Sequence, residues 1–224
     1  MCGRFTLVVE LTELLAAFPD FVFPETLPPR YNIAPTQPVA VVPNTAERRV
    51  AFFRWGLIPS WAKDSASGAR MINARAETVA EKPVFRAAFR QRRCLVLADG
   101  FYEWRNEPGQ RAKTPFLIRM ASGQPFAFAG LWEVWQPEAG EPLHSCTILT
   151  TEPNALVAPI HDRMPVILPP AAYAQWLAPQ PTPADDLHGL LRPYPAEALV
   201  AFPVSRLVNS PQNDLPACIE PAIA

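Results

Sequence analysis

The sequence predicts an α+β fold: a mostly antiparallel, barrel-like β core with short helices at its periphery. Three observations lead there. Apolar, β-branched and aromatic runs of strand length recur along the chain. The segments between them are turn-rich and unequal in length, which suits antiparallel neighbours better than regular βαβ alternation. The 28 prolines are scattered between apolar runs, so they stiffen loops rather than mark a disordered tract. The 224 residues suit one domain spanning 1–224, large enough to bury a core without staples.

In chain order, "FTLVV" (5–9) reads as a strand and "LTELLAAF" (11–18) as a short amphipathic helix. "FPETLPPRYNIAPTQP" (23–38) reads as a long loop held extended by its prolines. "VAVV" (39–42) and "RVAFFRW" (49–55) are strands, and 56–77 is an irregular stretch with Ser, Gly and Ala at its middle. A loop of that length in a compact domain is usually functional. "PVFRAAFRQ" (83–91) is helix-like, with proline at its start. Strands follow at 94–99, 100–105, 115–120, 126–135, 146–151 and 164–169, with a last one at 199–205. "EPNALVAPI" (152–160) and "PAAYAQWL" (170–177) read as short helices.

Hydrophobic residues make up 49% of the chain, charged residues 18%, and the net charge is −1. No global field draws such a protein to polyanions, although a local groove can still be basic. Residues 70–93 hold seven basic and two acidic side chains, which by themselves describe a solvated helix face. Cys2, Cys94, Cys146 and Cys218 are widely spaced, with no C-x-x-C pair, so the pattern implies no metal site. No secretory leader opens the chain, and no stretch approaches the ~20 apolar residues of a membrane span. The expectation is a cytoplasmic, monomeric protein with reduced thiols and no membrane partner.

The chemistry begins at "MCG". Initiator methionine is usually removed when the next side chain is small, and cysteine is small. Cys2 would then carry an α-amine (reference pKa ~7.7–8.0) beside a thiol (~8.5). This 1,2-aminothiol can condense with an aldehyde to an imine and then close a five-membered thiazolidine, which no internal residue can do. The alternative is that Met1 stays and Cys2 is a small buried apolar residue. His161, on a proline-flanked turn, suits general acid or base work, or simply a turn hydrogen bond. Glu103 sits in the strand "GFYEW": on the apolar face a buried carboxyl with a raised pKa could deliver a proton, and on the other face it is simply exposed. Asn73 and Arg75 lie two apart, an amide and a guanidinium suited to a sugar or phosphate, unless Asn73 simply builds a turn. Trp61, in the irregular stretch, could stack on a base.

"MCGRF", "RYNIAPTQ" (30–37), "WGLIPSW" (55–61), "INARAET" (72–78), "ADGFYEW" (98–104) and "IHDRMPVIL" (160–168) occur in that order, followed by "PVSRLVN" (203–209). Together they resemble the SOS-response-associated peptidase (SRAP) family, whose members shield abasic sites in single-stranded DNA. The resemblance implies removal of Met1, by self-processing or by an aminopeptidase, and a thiazolidine between Cys2 and the ring-opened sugar aldehyde. It implies catalytic roles for Cys2, Asn73, Glu103 and His161, with no cofactor. Asn73 would orient the N-terminus and sugar, and Glu103 and His161 would move protons. DNA contacts are implied for Gly3 and Arg4 beside the nucleophile and for Arg75, Thr150 and Arg163 on phosphates. Pro35 and Trp61 would form an apolar wedge. Family members often carry a second tryptophan after the position of Trp61; here it is Ala62. The implied partner is single-stranded DNA with abasic sites, with replication-fork proteins as candidate companions and a nucleoid location when bound.

Three other readings compete. Glutamine amidotransferases also begin Met-Cys-Gly and use the free amine to activate the thiol, but an aliphatic residue usually follows where this chain has Arg4. A Cys2–His161 peptidase would turn over unrelated peptides. A plain single-strand-binding module would bind intact and abasic strands equally and form no covalent product.

Overall fold

Two sheets carry the chain from end to end. A computed structural model describes residues 2–109 and 112–222. The elements are β1 (Phe5–Leu7), α1 (Leu11–Ala17), β2 (Arg30–Ile33), β3 (Pro38–Pro43), β4 (Ala51–Trp55), β5 (Asn73–Arg75), α2 (Arg86–Gln91), β6 (Arg93–Ala98), β7 (Gly100–Arg105), β8 (Thr114–Met120), β9 (Phe126–Trp135), β10 (Leu143–Thr151), β11 (Met164–Pro165), β12 (Ile167–Leu168), α3 (Tyr173–Trp176), α4 (Ala184–His188) and β13 (Leu199–Pro203). Strands β4, β3, β6, β9 and β10 pair in that order, and β10 returns to pair with β4. The five strands therefore close a barrel, which leaves no open edge among them. A second, antiparallel sheet has the order β13-β8-β7-β1-β2. The fold is the expected α+β arrangement, and among the described residues its parallel strand pairs are those of β10 with β4 and β5, beside an isolated parallel bridge between Val22 and Arg49.

Aromatic side chains join the two sheets. Phe5 of β1 is fully buried and meets Trp55 (ring centroids 5.1 Å) and Phe128 (5.7 Å) edge to face. Phe101 of β7 reaches the same Phe128 at 6.1 Å. Edge-to-face pairs add about 0.5–1.5 kcal/mol each beyond area burial. The start of the chain is thus bolted to the barrel three residues after Cys2.

The structure departs from the expected elements in instructive places. The loop at 23–38 contains β2, which pairs with β1 and is held from the far end of the sequence: Asp214 accepts the backbone N–H groups of Tyr31 (2.6 Å) and Asn32 (2.9 Å). The stretch 56–77 contains a 3-10 turn, Ser65–Arg70, and β5, which lies parallel to β10. Gly56, at φ +126°, packs so closely on Gly68 that an added Cβ would stand 2.5 Å from the Gly68 carbonyl oxygen. The helix expected at 152–160 is a series of turns instead. Asn154 starts them by accepting from Leu156 and Val157 N–H, but Pro159 has no amide to extend them.

The basic segment is not one solvated face. Arg75 is exposed, Arg92 pairs with Glu133 (2.7 Å), and Arg93 is fully buried. Arg93 donates to the carbonyls of Trp176, Phe89, Arg90, Ala178 and Gln180 and to the Thr182 hydroxyl, so it closes the C-terminal end of α2. The four cysteines are free and buried. Among the described residues no helix is long and apolar enough to cross a membrane, and no cluster of His, Cys, Asp or Glu could hold a metal.

Candidate active site

The site forms where three separate segments meet the beginning of the chain. The antiparallel register that pairs Phe5 with Phe101 carries residues 2–4 back along β7, and Tyr102 N–H donates to the Arg4 carbonyl (3.0 Å). Beyond Tyr102 on β7 lies Glu103. Asp99 locks the corner by accepting from the Thr6 hydroxyl and from Val8 and Val9 N–H. β5 lies against one side of β10, pairing Asn73 with Ile148 and Arg75 with Thr150. β11 lies against the other, pairing Pro165 with the same Thr150. The turn before β11 supplies His161.

Cys2 is fully buried, and burial pushes its thiol well above the ordinary cysteine range, with the nearby Glu103 charge acting in the same direction. Its carbonyl accepts a 2.7 Å hydrogen bond from Asn73 Nδ2. The other half of that amide, Asn73 Oδ1, is buried without a hydrogen-bond partner among the described residues. Met1, whose removal the sequence predicts, lies outside the described residues.

Glu103 is 2% exposed, and burial lifts its pKa to about 7. Its Oε2 lies 3.8 Å from His161 Nε2. Burial lowers the pKa of His161, with the neighbouring Asp162 carboxylate acting in the opposite direction. Its Nδ1 accepts the Arg163 backbone N–H at 3.0 Å, which places the ring proton on Nε2, toward Glu103. Asp162 Oδ1 also lies 2.9 Å from Nδ1. With Nδ1 already accepting, that contact favours the protonated ring. The structure therefore brings Cys2, Asn73, Glu103 and His161 into one neighbourhood. A polar cleft of about 440 Å³, lined by Trp104, Asn106, Lys113, Pro159, His161 and Asp162, opens beside the pair.

The residues expected to touch DNA fall into three sets. Arg75, Thr150 and Arg163 are together, through the pairing of β5 and β10 and a 2.7 Å bond from Arg163 Nη2 to the Thr150 carbonyl. The Thr150 hydroxyl is buried, so this residue presents its backbone to Arg163 rather than its side chain to solvent. Trp61 is 71% exposed. It and the half-buried Pro35 sit on loops that adjoin the end of β4, where Thr36, at φ +71°, donates to the Trp55 carbonyl. Arg4, beside the half-buried Gly3, has its guanidinium engaged by the protein: it donates to Asn32 Oδ1 (2.8 Å) and to the carbonyls of Val208 (2.6 Å) and Asn209 (3.3 Å).

Two supports of the site are not legible in the sequence. Asn32 is fully buried and donates to the carbonyls of Val208, Ser210 and Asn213 while accepting from Arg4. A lone amide between Tyr31 and Ile33 was its only signal. Glu77 binds Arg163 through both carboxylate oxygens (2.7 and 2.9 Å). Its signal was an acid two residues after Arg75 in a basic stretch.

A family model described as SOS response associated peptidase (SRAP) matches residues 1–211. The chain is 48% identical over 224 residues to the abasic site processing protein YoqW of Bacillus subtilis (strain 168), spanning 98% of this chain and 99% of that protein. It is 35% identical over 199 residues to the abasic site processing protein HMCES of Xenopus tropicalis, spanning 79% of this chain and 58% of that one. A crystal structure of a protein from Bacteroides thetaiotaomicron superposes with a TM-score of 0.86 at 28% identity, covering 99% of this chain and all of the other.

Proposed function

The chain belongs to the SOS response associated peptidase family, and we propose that it senses abasic sites in single-stranded DNA and protects them by bonding covalently to its own first residues. The observation that carries this reading is the placement of Cys2 at the chain start, with its carbonyl held by Asn73 and a carboxyl of pKa about 7 beside it.

Loss of Met1 gives Cys2 an α-amine next to its thiol. An abasic deoxyribose, once ring-opened, offers an aldehyde at C1′. The amine adds to that carbon, and the carbinolamine loses its hydroxyl as water. The thiol then adds to the carbon of the resulting iminium, whose nitrogen keeps its own hydrogen, and the thiol proton passes to the carboxylate that protonated the departing hydroxyl. One C–N and one C–S bond form, and one water leaves. An imine left open would drive β-elimination and strand breakage. The closed thiazolidine has no iminium, so the strand is protected.

Each side chain has a task in this scheme. Glu103, protonated in a large fraction of molecules near neutrality, gives its proton to the departing hydroxyl. The resulting carboxylate takes the proton of the thiol, which burial keeps protonated until attack. The His161 Nε2–H faces that carboxylate and stabilises it. Asn73 fixes the Cys2 backbone, and its open Oδ1 accepts from the amine or a sugar hydroxyl. Arg75 holds a flanking phosphate, while the neighbouring Arg163 guanidinium is engaged by Glu77 and the Thr150 carbonyl; Gly3 leaves room for the sugar, and Pro35 and Trp61 part the bases. Met1 removal is self-directed in this proposal, a single cleavage next to Glu103 and His161.

The test incubates the purified protein with single-stranded DNA carrying one abasic site and looks for a species that survives denaturation, alongside the intact mass of the protein. Wild type without Met1 yields the adduct, Cys2→Ser a weak product at most, and Cys2→Ala none. Equal adduct from wild type and Cys2→Ala overturns the proposal, as does an adduct formed with Met1 retained.

A further inference from the structure

Glu77 occupies a place where an acid works against DNA binding. It follows Arg75 by two residues, in the 3-10 turn Ala76–Thr78, and its half-exposed carboxylate lies on the surface proposed for phosphates. There it repels any approaching phosphate. The ion pair it makes with Arg163 is open to water on the Glu77 side alone, the Arg163 side chain being 14% exposed. Its reason lies in what it holds.

The carboxylate takes both Arg163 Nη atoms, at 2.7 and 2.9 Å. Arg163 Nη2 reaches the Thr150 carbonyl as well, at 2.7 Å. The guanidinium is thereby fixed on three oxygens from two segments. The same residue's backbone N–H donates to His161 Nδ1 at 3.0 Å and sets the ring proton on Nε2, facing Glu103. Four residues before Glu77, Asn73 holds the Cys2 carbonyl at 2.7 Å. One short segment, 73–77, therefore grips both the nucleophile and the turn that carries the histidine.

We infer that Glu77 is a positioning residue: by clamping Arg163 it holds the His161 imidazole in its working orientation and tautomer, and it gives up phosphate affinity to do so. This role rests on the reading of the site given under Proposed function. It makes an unusual signed prediction, since removing the charge frees Arg163 for phosphate while loosening the histidine turn. A residue with a merely structural role would weaken binding and rate together.

The experiment compares wild type, Glu77→Gln and Glu77→Asp at one ionic strength. Fluorescence anisotropy gives the affinity for an intact single strand, and single-turnover kinetics at saturating abasic strand gives the adduct rate constant. For Glu77→Gln the expected result is binding about 2- to 5-fold tighter and an adduct rate about 10- to 100-fold slower, with a thermal midpoint close to wild type. Glu77→Asp keeps the charge but shortens the reach, so its affinity stays near wild type while its rate falls part of the way. An unchanged saturating rate in both variants, or affinity and rate that drop in parallel, overturns the role of Glu77. If Glu77→Gln does not fold, the rate and affinity of Glu77→Asp decide. Absence of any wild-type adduct overturns the proposed function itself and the inference with it.

Discussion

Replacing Glu103 with glutamine preserves the shape of the side chain and takes away its proton. Burial places the pKa of this carboxyl at about 7, while the Cys2 amine has a reference value of ~7.7–8.0. The proposed condensation needs the amine free and the carboxyl protonated. Between pH 7.4 and pH 9 the protonated share of Glu103 drops from roughly three tenths to roughly one hundredth, and the free-amine share rises about three- to fourfold. The product of the two falls roughly eightfold over that interval. Adduct formation in wild type should therefore peak between pH 7 and 8 and decline above it. Glu103→Gln removes the declining limb, so its rate climbs about three- to fourfold to pH 9, from a level about 10²–10⁴ lower. The assay is single-turnover adduct formation on denaturing gels across this pH range. A decline that survives in Glu103→Gln, or a wild-type rate that rises steadily to pH 9, refutes the acid role.

The same carboxyl has a signature in stability. Its folded pKa of about 7 lies above the unfolded value of ~4.3, so the fold favours the protonated form. That contribution is fully present below about pH 4 and is lost as pH rises towards 7, at up to roughly 1.4 kcal/mol per pH unit. Measured by urea unfolding relative to Glu103→Gln, wild type loses ground between pH 5 and 7. A flat difference would show that Glu103 is not held neutral.

Two further outcomes follow from the packing. Phe5→Ala empties a fully buried site that meets Trp55 and Phe128 edge to face; it should cost about 3–5 kcal/mol in equilibrium unfolding and loosen the strand that carries Cys2. Asn32→Ala takes one acceptor from the Arg4 guanidinium and removes the single amide that gathers the carbonyls of Val208, Ser210 and Asn213. Limited proteolysis should then cut near residues 206–214 at protease levels that leave wild type intact, with a stability loss of about 1–3 kcal/mol; unaltered resistance would contradict the anchoring role.

The parts of this molecule that were legible in the sequence are those whose cause is local. The reactivity proposed for Cys2 follows from its position next to the initiator methionine, which needs no fold to be seen. The long strands β6 to β10 announce themselves by composition, since a buried pleated surface selects branched and aromatic side chains. What escaped notice has its cause elsewhere in the chain. β2 is polar and proline-flanked, and becomes a strand because Asp214 and β1 supply its partners. β5 has three residues, too few to show a period, and exists because β10 offers an unfilled ladder beside it. Arg93 looked like one more solvated cation, yet it is buried under carbonyls from α2 and from residues 176–180. The candidate site leans on such segments. Asn73, Arg75 and Glu77 lie on or just after β5, where side chains are chosen for what they hold rather than for what they pack. Local propensity is weakest in such places, and the register of a neighbouring strand has to supply the positional accuracy that the chemistry needs.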